Sequence, residues 1–437
     1  MEIQVMESTI VRPAQDTPKT TLWCSNLDAV APRSHVSTVY FYRPNDNGCS
    51  NFFDTGVLKE SLSKVLVPFH PVAGRLGFDQ NGRIQVECNG EGVLFIEAPA
   101  SCDMDDVLDF INTPTSQVKL LVPSVDYSKE DISSYPLLLL QVTSFKCGGA
   151  CLGVGFHHIL VDGSSALHFI STWSHMTRGL PLTLEPIFDH KSLRARVPPT
   201  PSFDHLEYKY SPSLSTPQQN QELHSSPLDI SIATLQIAPQ QLNALKANVE
   251  GNFTTYEVLA AHIWRCMCKA RDLPDNMMTS LYIPADGRSR LNPPLPRGYF
   301  GNAILKARLP VLAGEVKSEP LIQTVERVHI AIKRMDDDYA RSVVDYLELQ
   351  PDINLMRVPA AFKYPNLHVA SWTKLPIYDA DFGWGRPIYM GRATINIQGV
   401  AYILPSPVND GSLALIIGLE SDRIQLFEKY FYEPQTV

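Results

Sequence analysis

Residues 185–226 break this chain in two. From Pro198 to Pro227, Pro, Ser, Gln and Tyr dominate and no hydrophobic period survives, so the stretch reads as a crossover linker rather than a helix or strand. Strong patterning lies on both sides. Before the break, Val36–Tyr42, Leu137–Phe145 and Cys151–Phe156 are β-branched, aromatic or apolar runs of strand length. Phe53, Val57, Leu58, Leu62, Val65 and Leu66 fall at helical spacing and stop before Pro68. Arg83–Glu87 and Val93–Glu97 suggest a hairpin around Cys88-Asn89-Gly90-Glu91-Gly92. A further helix runs on from Gly163 through Ala166, Leu167, Phe169, Ile170 and Trp173. After the break come a strand at Ile230–Ile237, helices at Pro239–Ala247 and Thr255–Ala270, and strands at Val400–Leu404 and Ser412–Leu419. The expectation is an α/β protein: an N-terminal domain over 1–184, a linker over 185–226 and a C-terminal domain over 227–437, with a ligand cleft between the halves.

Composition narrows the partners. The chain has 437 residues, 44% of them hydrophobic and 19% charged, enough for sizeable cores without metal or disulfide staples. A net charge of -9 with no Lys/Arg-rich block argues against a nucleic-acid partner. No run of about 18 apolar residues offers a membrane span. The acidic start Met1-Glu-Ile-Gln-Val-Met-Glu-Ser lacks the basic and apolar segments of a signal peptide, so the cytosol is expected. Eight cysteines are scattered without zinc or disulfide spacing, and Cys266 and Cys268 read as reduced residues of an apolar helix.

Chemistry concentrates at Gly155-Phe156-His157-His158-Ile159-Leu160-Val161-Asp162-Gly163. A strand ends in two histidines, an apolar turn follows, and Asp-Gly opens a helix. An imidazole at a strand end faces a cleft, and its ordinary pKa of about 6.5 suits it to taking a proton from an alcohol. Two other readings stand beside this one. The histidine can be a hydrogen-bonded core residue, or His158 and Asp162 can be metal ligands, although nothing nearby completes a zinc site. Asp162 reads best as structural, tying the turn to the second half through an arginine.

His158-x-x-x-Asp162-Gly163, together with Asp381-Phe382-Gly383-Trp384-Gly385 about 220 residues later, resembles the paired signature of the plant BAHD acyltransferases. The resemblance extends over essentially the whole chain. Pro71-Val72-Ala73-Gly74-Arg75-Leu76 and Gly298-Tyr299-Phe300-Gly301-Asn302 are similar to one branch, the hydroxycinnamoyl-CoA shikimate/quinate hydroxycinnamoyltransferases, with rosmarinic acid synthase as a relative. The resemblance implies two chloramphenicol-acetyltransferase-like domains with a channel between them, a monomer, and no cofactor, coenzyme A thioester being a co-substrate. It implies that His158 is the general base in direct transfer without an acyl-enzyme, and no GxSxG elbow or catalytic-cysteine signature speaks for one. Trp372 is the candidate oxyanion donor. Asp162 and Gly163, and Asp381, Gly383, Trp384 and Gly385, are implied to be structural, with Arg288 or Arg290 as the partner of Asp162.

The same resemblance assigns substrates. His35, Thr38 and Tyr40 match positions lining a p-coumaroyl or caffeoyl pocket. Arg357 matches an arginine that holds the acceptor carboxylate, a task suited to a guanidinium fork. Thr254, Thr255, Arg288 and Arg290 are candidate coenzyme A contacts. Ala370 stands where the shikimate enzymes carry threonine, and His158-Ile-Leu-Val-Asp162 is bulkier than their turn, closer to the rosmarinic acid synthase form. Shikimate, quinate and a hydroxyphenyllactate therefore all stay open as acceptors. A catalytically silent binding protein and a hydrolase are the readings from other classes.

Overall fold

The computed structural model describes residues 1–44, 51–111, 117–127, 131–209, 229–357, 364–395 and 397–433, with the side chains of 109–111 and 357 excepted. In the first half the strands are β1 (Glu7–Val11), β2 (Thr21–Trp23), β3 (His35–Tyr42), β4 (Arg75–Phe78), β5 (Ile84–Glu87), β6 (Val93–Pro99), β7 (Leu138–Ser144) and β8 (Ala150–His157). In the second they are β9 (Ile230–Ile237), β10 (Met278–Asp286), β11 (Ile304–Leu312), β12 (Leu367–Ser371), β13 (Tyr389–Arg392), β14 (Val400–Pro405) and β15 (Leu413–Glu420).

They form two mixed six-stranded sheets, ordered β1-β6-β7-β8-β3-β13 and β11-β10-β12-β14-β15-β9, plus a small β2-β5-β4 sheet. The fold is thus α/β with two main sheets. β13 comes from the second half of the sequence yet closes the edge of the first sheet, pairing antiparallel with β3 so that Arg392 faces Thr38 and Met390 faces Tyr40.

The expected hairpin at 83–97 does not form. β5 pairs with β2 on one edge and β4 on the other, so no free edge is left for β6. β6 instead enters the large sheet between β1 and β7. An alternating segment announces a strand, but its partner is decided by which edges remain open.

Helix Gly163–Thr177 packs with helix Thr55–Val65 against the first sheet, with Trp173, Phe169 and Leu62 fully buried. In the second half, helix Thr255–Ala270 lies at the centre of a separate core with Trp264 fully buried. A capping box fixes where it begins: the Thr254 hydroxyl accepts from the Glu257 N–H at 3.3 Å, and the Thr254 N–H donates to the Glu257 carboxylate at 2.6 Å. Cys266 and Cys268 are buried free thiols of this helix, and burial pushes Cys268 up to about 12. In residues 185–209 the regular structure is one short 3-10 turn, His190–Leu193, and Ile187 bridges to Tyr299; residues 210–226 lie outside the described set. No described helix is long and apolar enough to cross a membrane.

Candidate active site

Between the two large sheets lies a cavity of ≈ 2030 Å³. Single small-molecule sites usually occupy about 300–1,000 Å³, so there is room for two substrates at once. His158, Trp372, Ala370, Thr38, Tyr40 and His35 all line it, as do Thr254, Thr255 and Arg290. The sites expected from sequence are therefore largely brought together around one space.

His158 follows the last residue of β8. Its backbone is pinned from both sides: its N–H donates to the Ser34 carbonyl at 3.1 Å, and its own carbonyl accepts from the Asn302 side-chain amide at 2.9 Å. The same amide donates to the Ile159 carbonyl and to Asp28. Asn302 thus holds the turn from the second half. Sequence reasoning quoted this residue only as part of a resembling motif, since a contact 144 residues away leaves no local signal.

The His158 side chain is partly buried at the cavity wall, and Nδ1 has no hydrogen-bond partner among the described residues. Burial lowers its pKa below the ordinary value, and Lys306 and Arg392 push the same way. Its own carbonyl and Asp162 pull back, less strongly. At neutral pH the ring is uncharged. The neighbouring His157 is a core residue, packed edge-on to His35 at 5.1 Å, and burial drives its pKa well down.

Asp162 caps helix Gly163–Thr177 by accepting from the Ser165 N–H at 3.1 Å. It is also gripped by Arg288, at 2.7 and 2.9 Å to its two oxygens, and accepts from the Ala303 N–H at 3.0 Å. Arg288 donates further to Ser165, Asp286 and the Gly301 carbonyl, and it does not line the cavity. Of the two arginines expected near coenzyme A, this one is committed to the turn. Arg290 lines the cavity while donating to the carbonyls of Ile332 and Met335.

The Asp381–Gly385 segment lies away from the cavity. Asp381 accepts from the Gly383 and Gly385 N–H groups at 2.8 and 3.0 Å, with both glycines at positive φ (105° and 104°) where other residues strain. Trp384 packs on Phe53 at 5.4 Å and Phe382 on Trp173 at 4.8 Å. The turn anchors second-half chain against first-half helices.

On the β3 side, Thr38 and Tyr40 project from the strand into the cavity. His35 also lines it, but both ring nitrogens are taken, Nδ1 by the Tyr127 hydroxyl at 2.5 Å and Nε2 by the Pro136 carbonyl at 2.8 Å. Burial lowers its pKa to about 4, so it is a neutral, fixed wall residue. Trp372 stands edge-on to Tyr402 at 5.2 Å, and Tyr402 is the register partner of Ala370. Arg357 ends the 3-10 turn Ile353–Arg357; its side chain lies outside the described set, and its neighbour Met356 lines the cavity.

Several cavity cations were absent from the sequence reading, among them Lys306 on β11 and Arg392 on β13. β11 also carries Arg308, and Arg392 is the last residue of β13, so nothing in the sequence sets either apart from a surface cation. Among the described residues no cluster of three or more potential metal ligands occurs.

Residues 1–434 match the family model described as the Transferase family. A shikimate O-hydroxycinnamoyltransferase from Nicotiana tabacum is 50% identical over 99% of this chain and 100% of its own length. A rosmarinate synthase from Plectranthus scutellarioides is 46% identical over 99% of this chain and 100% of its own. Among solved structures, vinorine synthase superposes with a TM-score of 0.74 at 22% identity, covering 97% of this chain and 96% of that one, a likeness of fold.

Proposed function

Because this chain belongs to the BAHD acyltransferases of the Transferase family, we propose that it moves a hydroxycinnamoyl group from coenzyme A to the hydroxyl of a carboxylate-bearing acceptor such as shikimate or quinate. The observation that carries the reading is His158: a neutral imidazole on the wall of a cavity large enough for both substrates.

The hydroxycinnamoyl group lies along Thr38 and Tyr40, and the coenzyme A chain passes Thr254, Thr255 and Arg290 at the other end. The acceptor carboxylate rests on Arg357, its ring against Ala370. His158 Nε2 takes the acceptor hydroxyl proton as the oxygen attacks the thioester carbonyl. The tetrahedral oxyanion is met by the indole N–H of Trp372, which has no acceptor among the described residues. Collapse breaks the carbon–sulfur bond, and the coenzyme A thiolate recovers the proton from the imidazolium. Ester and free coenzyme A leave with no covalent enzyme intermediate. The enzyme works as a monomer in the cytosol.

The test is an acceptor panel with p-coumaroyl-CoA and caffeoyl-CoA: shikimate, quinate, 4-hydroxyphenyllactate, spermidine and no acceptor. Ester formation with a hydroxy acid, abolished in Arg357→Ala, supports the reading. Transfer confined to an amine, or thioester hydrolysis undiminished without acceptor, overturns it.

A further inference from the structure

Arg392 is one of several cavity cations, with Lys119, Lys246, Lys306 and Lys374, to which the proposed reaction gives no role. Arg392 ends β13 directly opposite Thr38, on the same face as Met390, and all three line the cavity. Its guanidinium lies over the ring of Tyr402, 5.5 Å from the centroid. Tyr402 in turn contacts Trp372 and pairs in register with Ala370. Arg392 therefore stands where β3 approaches β12 and β14 across the cavity.

What surrounds it is incomplete. Nε is buried without a hydrogen-bond partner, and no carboxylate among the described residues pairs with the side chain. Lys306 differs in being able to shed its proton: burial lowers its pKa, Glu207 opposes that only in part, and the Tyr208 ring lies 5.8 Å from its ammonium. A guanidinium cannot shed its charge, and holding it in a cavity without a counter-ion is unfavourable. An aromatic face offsets only part of that. The missing group is anionic. A hydroxycinnamoyl chain offers only a neutral phenol, and the phosphates of coenzyme A belong at the mouth by Thr254 and Arg290.

We infer that Arg392 holds a carboxylate of the acceptor additional to the one proposed above, so that the preferred acceptor is a hydroxy dicarboxylic acid with its hydroxyl at His158. The inference rests on the hydroxy-acid reading above. It adds a specificity-determining residue from the first sheet and shifts preference away from monoacids.

The experiment uses p-coumaroyl-CoA with malate and with each of its two monoamides, alongside shikimate and quinate. Malate should exceed both monoamides in kcat/KM by about ten-fold or more, the scale of one lost charge-assisted contact. In Arg392→Gln that ratio should fall towards one, and Arg392→Lys should keep part of it. Equal use of malate and its monoamides, or a ratio unchanged in Arg392→Gln, overturns the inference. Ester formation with shikimate or quinate but no diacid preference overturns this inference alone, whereas no ester with any hydroxy acid overturns the parent reading as well. Should Arg392→Gln not fold, dead-end inhibition of the unaltered enzyme decides: succinate should compete with the acceptor and butyrate should not, and equal inhibition by the two overturns the assignment.

Discussion

Arg288 reaches from the second half of the chain and holds both carboxylate oxygens of Asp162, at 2.7 and 2.9 Å, on the turn that presents His158. Asp162 is almost wholly enclosed and Arg288 nearly so, with side-chain exposures of 1% and 16%. Removing one partner of such a pair leaves a buried charge alone, at about 3–5 kcal/mol. Arg288→Ala should therefore lower the unfolding free energy from urea titration by that order, and turnover with it. Unchanged stability would mean that the pair does not hold the halves together.

His158→Ala should reduce kcat/KM by about 10²–10⁴, the usual weight of a general base, while circular dichroism and the thermal midpoint stay close to the parent values. A rate near normal would remove His158 from the chemistry.

The acid limb of the kcat/KM profile should fall below pH ~6.5, because the base must be neutral and burial lowers its pKa. Lys306 acts in the same direction by disfavouring the imidazolium. Lys306→Met should raise the His158 pKa and move the acid limb to higher pH. A shift to lower pH would contradict this sign.

His190 and Asp28 form a buried pair at 3.0 Å. Burial alone would lower the His190 pKa, but Asp28 and the Phe300 carbonyl bring it above its ordinary value. Burial also opposes Asp28, whose pKa is nonetheless lowered by His190 and Ser25. The His190 contribution is complete below about pH 6.5 and fades as pH rises through the raised pKa; that of Asp28 is complete above about pH 4 and fades as pH falls. Denaturation of the parent and of His190→Gln across pH 4–9 should show their stability gap widest at mildly acid pH and shrinking in alkali.

Gly153→Ala should be poorly tolerated. A Cβ on this β8 residue would sit 1.8 Å from the Leu121 carbonyl oxygen, so the strand or the 118–121 turn must move. A loss of about 1–3 kcal/mol or more follows from such overpacking, read as a drop in thermal midpoint; an unchanged midpoint would show that the turn gives way freely.

Much of this was legible locally. The strand–turn–helix around His158 announced itself through an apolar run, two histidines and an Asp-Gly start. Partnering was not legible. Nothing in Arg83–Glu87 says that both its edges are taken, and nothing in Tyr389–Arg392, four residues long, says that it crosses to the other sheet. Asn302 and Arg288 escaped definite assignment because their roles exist only across more than 120 residues of chain. Lys306 and Arg392 escaped because a single cation in a sequence looks the same on a surface as in a cavity.

The strand lent by the second half to the first sheet changes what the two halves are to each other. Tyr389–Arg392 is bonded along β3, the strand that carries Thr38 and Tyr40. The halves are therefore clasped rather than hinged: the cavity cannot gape without stripping that edge, so substrates must thread in from its ends. For the same reason, cleavage of the chain within 210–228 should leave two fragments that stay together, since the N-terminal piece lacks β13, the edge strand of its own large sheet.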